Sequence, residues 1–193
     1  MGFCSGIIRG TMLLLVVFLI CLFVAVGTGV LSALSDVRGL VIPNIYSVVV
    51  MGAFVVAYGA LWVFGHGGVF QSLVSHILSA LVVFLVTLIM FAMRGIGAAD
   101  SKLATAYAFW VGMAGFLPFL LYMSLFGGVL GLTSLLLRKF KPFKSPSEGS
   151  WAAQVQAGES KVPYGVAIVF GALVSFVKLG YLSGGVLASF LAS

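Results

Sequence analysis

Acidic side chains are scarce in this chain. Its 193 residues include two aspartates and two glutamates, against ten lysines and arginines. Charged residues make up 7% of the sequence and apolar residues 62%. So few polar groups cannot cover the surface of a water-soluble globule of this length. The composition therefore argues against a soluble domain and indicates a protein that crosses a membrane several times.

Cysteine and histidine are equally scarce. The chain has two of each: Cys4, Cys21, His66 and His76. They form no CxxC pair and no spacing typical of metal ligands. We therefore predict no metal site and no cofactor, and we interpret the cysteines as packing residues and His76 as a hydrogen-bonded core residue.

Long hydrophobic runs, by contrast, are abundant. A helix of about 20 apolar residues crosses the ~30 Å hydrocarbon layer, and no strand-like alternation favours a barrel. The sequence predicts an all-α polytopic bundle of about six transmembrane helices, forming a single membrane domain over 1–193. Hydropathy places the spans near 11–35, 42–64, 70–93, 101–113, 115–137 and 163–185. The fourth is short and runs into Gly112 and Gly115, and such a broken helix is tolerated only beside protein or a watery cavity.

Basic residues predict the orientation. Eight of them fall in the loops after odd-numbered spans or, for Lys102, at the first residues of the next span: Arg38, Arg94, Lys102, Arg138, Lys139, Lys141, Lys144 and Lys161. Positively charged loops stay in the cytoplasm, so these loops are expected there and the N-terminus outside, although Arg9 argues weakly the other way. The basic loop over 138–162 either binds anionic membrane lipids or only sets the topology, and it is too short to be a nucleic-acid-binding module.

The two aspartates are the candidate chemical groups. Asp36 follows the first hydrophobic run. Asp100 follows a segment of small residues and stands just before the fourth predicted span. Alone, Asp36 would be interpreted as a solvated span end and Asp100 as a helix N-cap. Ionisable groups near membrane depth are usually paired or functional, however, and both aspartates fall on the same predicted face.

The flanks of both aspartates, and the start of the last span, carry short motifs. These are Ile42-Pro43-Asn44, then Gly97-Ala98-Ala99-Asp100-Ser101-Lys102-Leu103, and finally Val162-Pro163-Tyr164-Gly165. In this order they resemble the type IV prepilin peptidases, aspartic proteases of the bacterial inner membrane, and most closely the compact form that serves Flp/Tad-type pili. The resemblance extends over nearly the whole chain.

The resemblance implies a function for each motif. Asp36 and Asp100 would be the catalytic dyad, sharing one proton so that one activates water while the other polarises the scissile carbonyl. Pro43, Asn44, Gly97, Ala99, Lys102, Pro163 and Gly165 would support it. Helix dipoles would favour Asp100 as the ionised partner and Asp36 as the protonated one.

The implied substrate is a prepilin, cut between its basic leader and its apolar helix at the cytoplasmic face. Pilus-assembly components are further candidate partners. Larger relatives carry a cytoplasmic methyltransferase domain with paired cysteines, which has no counterpart here, so peptidase activity without N-methylation is expected.

One motif position departs from the family, since Ala99 stands where GxGD has glycine. Glycine there would permit positive φ and close backbone approach. A catalytically impaired relative acting as a pilus-assembly scaffold is therefore one alternative function. A small ion-coupled transporter is another, although transporters usually place paired acids near the midplane and often have internal repeats.

Two glycine pairs have GxxxG spacing, Gly127 with Gly131 and Gly180 with Gly184. Such pairs let helices approach closely. We expect them to serve packing within the bundle rather than dimerisation.

Overall fold

The structure, a computed structural model, describes residues 2–64 and 67–191, with side chains for 10–64, 68–186 and 190. These residues form seven α-helices and a short 3₁₀ turn at Gly67–Val69, and the described part contains no strand. The helices are α1 (Gly2–Gly39), α2 (Asn44–Val63), α3 (Leu73–Ala92), α4 (Ala98–Phe140), α5 (Trp151–Gln156), α6 (Tyr164–Lys178) and α7 (Gly184–Leu191). The all-α prediction is confirmed.

Four described helices are long and apolar enough to cross a membrane: Gly10–Gly39, Asn44–Val63, Leu73–Ala92 and Ala98–Phe140. The chain is accordingly a membrane protein, while the count of six spans and the outside N-terminus stay predictions. Helix α6 has 15 residues, which corresponds to about 22 Å. It ends at Lys178, short of the predicted residue 185, because Gly180 (φ 77°) turns the chain toward α7.

Helix α4 is broken at Gly112, whose φ of 56° and ψ of −171° are not helical. In a straight helix Asp100 and Gly131 would lie about 46 Å apart, yet both line one cavity of about 490 Å³. The chain therefore reverses at Gly112, and a first arm (98–111) and a second arm (113–140) lie side by side. The interruption predicted near Gly112 and Gly115 is found at Gly112.

Polar side chains near the start of α3 satisfy the backbone groups that the break leaves unpaired. The Ser75 hydroxyl accepts a hydrogen bond from the N–H of Met113 at 2.9 Å, and the Gln71 side-chain carbonyl accepts one from the N–H of Ala114 at 3.1 Å. Unpaired backbone groups in an apolar environment are costly. These two contacts therefore stabilise the reversal of α4.

His76 completes this arrangement. It is fully buried, and its Nδ1 donates to the carbonyl of Phe109 at 2.6 Å. Aromatic rings surround it, with the Phe54 and Phe70 centroids 5.0 and 5.6 Å away. The interpretation of His76 as a hydrogen-bonded core residue is confirmed.

Replacing Gly112 by alanine is expected to destabilise the fold by about 1–3 kcal/mol, because its φ and ψ values are almost exclusive to glycine. An added Cβ would also lie 3.1 Å from two atoms of the His76 ring. Gly59→Ala in α2 is the matched control, since open space surrounds that position and alanine favours a helix by up to about 1 kcal/mol. Thermal unfolding in detergent measures both, and equal stability of the two variants would contradict the prediction.

The first arm of α4 is anchored at the centre of the bundle. The Tyr107 hydroxyl donates to the carbonyl of Ala25 in α1 at 2.8 Å, and the Trp110 indole donates to the carbonyl of Val50 in α2 at 2.9 Å. The Tyr181 hydroxyl donates to the carbonyl of Trp110 at 3.0 Å. These buried bonds fix the position of the helix that begins beside Asp100.

The predicted basic loop over 138–162 is partly helical. Helix α4 continues to Phe140, and α5 lies within the loop. The Gln156 side chain donates to the carbonyl of Phe143 and accepts from its N–H, at 2.9 and 3.1 Å. These two hydrogen bonds stabilise the loop. Lipid binding by its basic residues stays a prediction.

Candidate active site

Asp36 lies in the last turn of α1 and is only 4% exposed. Its Oδ2 accepts a hydrogen bond from the backbone N–H of Gly165, at the start of α6, at 2.7 Å. A buried carboxylate needs such a partner, since an unpaired one is costly. The third motif thus holds Asp36, which precedes the first motif in sequence.

Gly165 is the point at which these two motifs touch. A Cβ at this position would lie 2.7 Å from Cδ1 of Ile42 and 2.9 Å from Oδ2 of Asp36. Only glycine leaves room for both contacts. Pro163 stands just before α6 as its N-cap residue, where a missing N–H carries little penalty.

Asp100 is the third residue of α4 rather than its N-cap. The N-cap residue is Gly97, whose N–H donates to Oδ2 of Asp100 at 3.0 Å. The φ of Gly97 is −78°, but a Cβ there would lie 2.8 Å from the same oxygen. The close approach of the Asp100 carboxylate, rather than a positive φ, therefore explains the glycine at position 97. The interpretation of Asp100 as the N-cap residue is wrong, because the N-cap lies three residues earlier.

Ala99 adopts a helical conformation within the first turn of α4 and is not among the described residues with positive φ. Its side chain packs, partly buried, against the core. Glycine has no conformational advantage at a helical position. The departure from the family motif therefore introduces no backbone strain.

Restoring the family glycine should bring little benefit. We expect Ala99→Gly to lower stability by about 0.5–1 kcal/mol, because glycine is the poorer helix former, and to change the rate of substrate cleavage less than about twofold, a difference of under ~0.5 kcal/mol in activation free energy. Unfolding in detergent and a cleavage time course measure the two effects. A large gain in rate would mean that Ala99 impairs the site.

The second motif also contacts the first. The Lys102 ammonium group donates to the side-chain oxygen of Asn44 at 3.1 Å. Asn44 is the first residue of α2, and Pro43 precedes it as the N-cap residue. The contact joins the starts of α2 and α4, so all three motifs meet at one end of the bundle, which we call the aspartate end.

Both aspartates line one cavity of about 340 Å³ at the aspartate end, which we call the polar chamber. Its wall also includes Gly97, Arg94 and Lys161. The other predicted support residues, Pro43, Asn44, Ala99, Lys102, Pro163 and Gly165, are not part of its lining. The two acids, distant in sequence, therefore share one polar space.

Leu40, Arg94 and Tyr164 line the chamber but were not predicted as site residues. Leu40 and Arg94 have positive φ values of 54° and 59°, an unfavourable conformation for a non-glycine residue. Such strain often occurs at functional sites, but no sequence pattern signals it. Tyr164 sits within the third motif, which could have indicated it.

An apolar groove adjoins the polar chamber. It has a volume of about 490 Å³, and Ile96, Asp100 and Tyr164 line both spaces. The groove lies between α3, the two arms of α4, and α6. A polar and an apolar compartment therefore meet at Asp100.

No metal centre occurs among the side chains that the structure describes, where no three potential ligands lie together. The prediction that the chain has no metal site also concerned the side chain of Cys4 and all of His66, which lie outside the described residues.

Lys161, which lines the polar chamber, forms an ion pair with Glu159 at 2.6 Å.

Comparison with protein-family models identifies the family of the chain. The model of the type IV leader peptidase family matches residues 15–132, a stretch that contains both aspartates and ends before the third motif. No curated protein and no solved structure matches the chain. Since the match covers more than half of the sequence, the chain belongs to the type IV leader peptidase family.

Proposed function

We propose that this protein is a prepilin leader peptidase of the bacterial inner membrane and that Asp36 and Asp100 are its catalytic pair. The observation that carries the proposal is that the only two aspartates of the chain, 64 positions apart, line one chamber. Membership of the leader peptidase family supports the same reaction class.

The proposed reaction is hydrolysis of one peptide bond. One carboxylate takes a proton from the attacking water while the other, protonated, donates a hydrogen bond to the scissile carbonyl. Two carboxyl groups facing one chamber favour this division, because close like charges disfavour double ionisation. The N–H groups of Gly165 and Gly97 hold one oxygen of each acid, which leaves the second oxygen of each available for the reaction.

The proposed substrate has a basic leader followed by an apolar helix, as in Flp-like prepilins. Cleavage would occur on the cytoplasmic side, which the basic residues near the aspartate end support through the charge rule for membrane proteins. A peptide must be locally extended to expose its carbonyl, and this is easier beside water than within hydrocarbon. The site at the end of the helices suits that requirement.

The test is reconstitution of the purified full-length protein in liposomes with a candidate Flp-like prepilin. Mass spectrometry of the product N-terminus should identify a single new terminus at the junction between leader and helix. If the folded protein leaves several such prepilins intact, or cuts only elsewhere, the proposed function is wrong.

A further inference from the structure

The second arm of α4 presents a face of small residues to the apolar groove. These residues are Ser124, Gly127, Gly128 and Gly131. A Cβ added to Gly127 would be in ordinary contact with Tyr164, 3.6 Å away. For Gly128 and Gly131, by contrast, nothing beyond the adjoining backbone of their own helix lies within 4 Å of an added Cβ.

The predicted use of GxxxG pairs for packing within the bundle is thus right for Gly127 only. A Cβ added to Gly131 or Gly184 would meet no atom of another described helix within 4 Å, and Gly180 forms a turn with φ 77°. Glycine is a poor helix former, and close helix packing is the usual compensation in membranes. Gly128 and Gly131 lack that compensation within this chain.

The groove ends at the candidate catalytic group. Asp100 lines it together with apolar side chains such as Val86 and Met90 from the end of α3. Because Ile96, Asp100 and Tyr164 also border the polar chamber, an occupant of the groove would continue directly into the chamber. The proposed substrate likewise joins an apolar helix to a polar leader, which match the apolar groove and the polar chamber.

We propose that the groove is the docking site for the transmembrane helix of the substrate, with its backbone packed against Gly128 and Gly131. This inference rests on the proposed function and assigns the part of the site that receives the apolar half of the substrate. The scissile junction then lies at the boundary formed by Ile96, Asp100 and Tyr164. Bulk at Gly128 or Gly131 would displace the helix and misalign the junction.

Crosslinking tests the docking independently of cleavage. A photoreactive amino acid is placed at position 128 in an Asp36→Asn background, and at position 59 as the control, since Gly59 is a helical glycine in equally open surroundings. With a prepilin in the same liposomes, we expect an adduct from position 128 to the substrate helix and at least tenfold less from position 59. Adducts from position 128 to lipid alone, or equal yields from both positions, would overturn the proposal.

Cleavage by groove variants provides the second measurement. Gly128→Leu and Gly131→Leu should slow cleavage of a membrane-embedded prepilin at least tenfold, while Gly59→Leu stays near wild type. Normal cleavage by both groove variants would contradict docking while leaving the peptidase function intact. Crosslinks from position 128 to several prepilins, none of which the wild-type protein cleaves, would instead support docking and refute the peptidase function.

Discussion

Replacing Asp36 or Asp100 by asparagine is expected to reduce leader removal by at least about 10³-fold, the scale of a lost acid or base group. Asparagine keeps the size of the side chain and an oxygen that accepts a hydrogen bond, so the contacts to Gly165 and Gly97 can persist. It removes the ability to exchange a proton. Cleavage in liposomes, followed by quantitative mass spectrometry, measures the loss.

The chain offers a matched control for the removal of a carboxylate. Glu148 is exposed, and it lines neither the polar chamber nor the apolar groove. Glu148→Gln should therefore cleave at the wild-type rate. If either aspartate variant, shown by its unfolding curve to be folded, also cleaves normally, the dyad is wrong. If the wild type and all variants are equally inactive on a range of prepilins, the scaffold alternative gains support.

Gly165→Ala should also strongly reduce leader removal. The added methyl group would lie 2.7 Å from Ile42 and 2.9 Å from the Asp36 carboxylate, both buried. Relief requires either α6 to move away from α1 or the Asp36 carboxylate to turn aside, and both lengthen the hydrogen bond that holds Asp36. We expect cleavage to fall at least about tenfold, equivalent to ~1.4 kcal/mol, and stability to fall by about 1–3 kcal/mol, as for other overpacked cores.

Two further variants separate the loss of stability from the displacement of Asp36. Gly171→Ala, six residues along the same helix, crowds the carbonyl of Phe119 and the N–H of Met123, and should reduce stability without a specific loss of rate in the folded protein. Ile42→Val removes the atom closest to the new methyl group, so it should restore part of the stability of Gly165→Ala. Equal rates for folded Gly165→Ala and Gly171→Ala would show that the contact to Asp36 does not affect catalysis.

Much of the fold follows from local sequence properties. Apolar runs of adequate length form helices because a chain in lipid must satisfy its backbone hydrogen bonds within each segment. Gly112 interrupts α4 at the predicted position because its conformation is open almost only to glycine. The ends of α6 and α7 were less predictable, since the turn at Gly180 lies within an otherwise apolar stretch.

Details of the site followed less directly. Gly97 and Gly165 were predicted as support residues from the motifs, but the physical reason is close contact with carboxylate oxygens. The strained conformations of Leu40 and Arg94 could not be anticipated, because neither residue type favours positive φ. The position of Asp100, three residues inside the helix, depends on which neighbour becomes the N-cap, and boundaries of this kind are the least predictable feature of a helix.

The sequence by itself determined the class of the molecule and its candidate chemical groups, since composition demands a membrane environment and only two aspartates exist to form a pair. It could not determine that Gly165, 129 positions away, would donate to Asp36, or that Gly128 and Gly131 would face an open groove. Such facts depend on how helices distant in sequence pack together. Periodicity and motifs specify each helix singly, and only the tertiary structure decides which faces meet and which stay open.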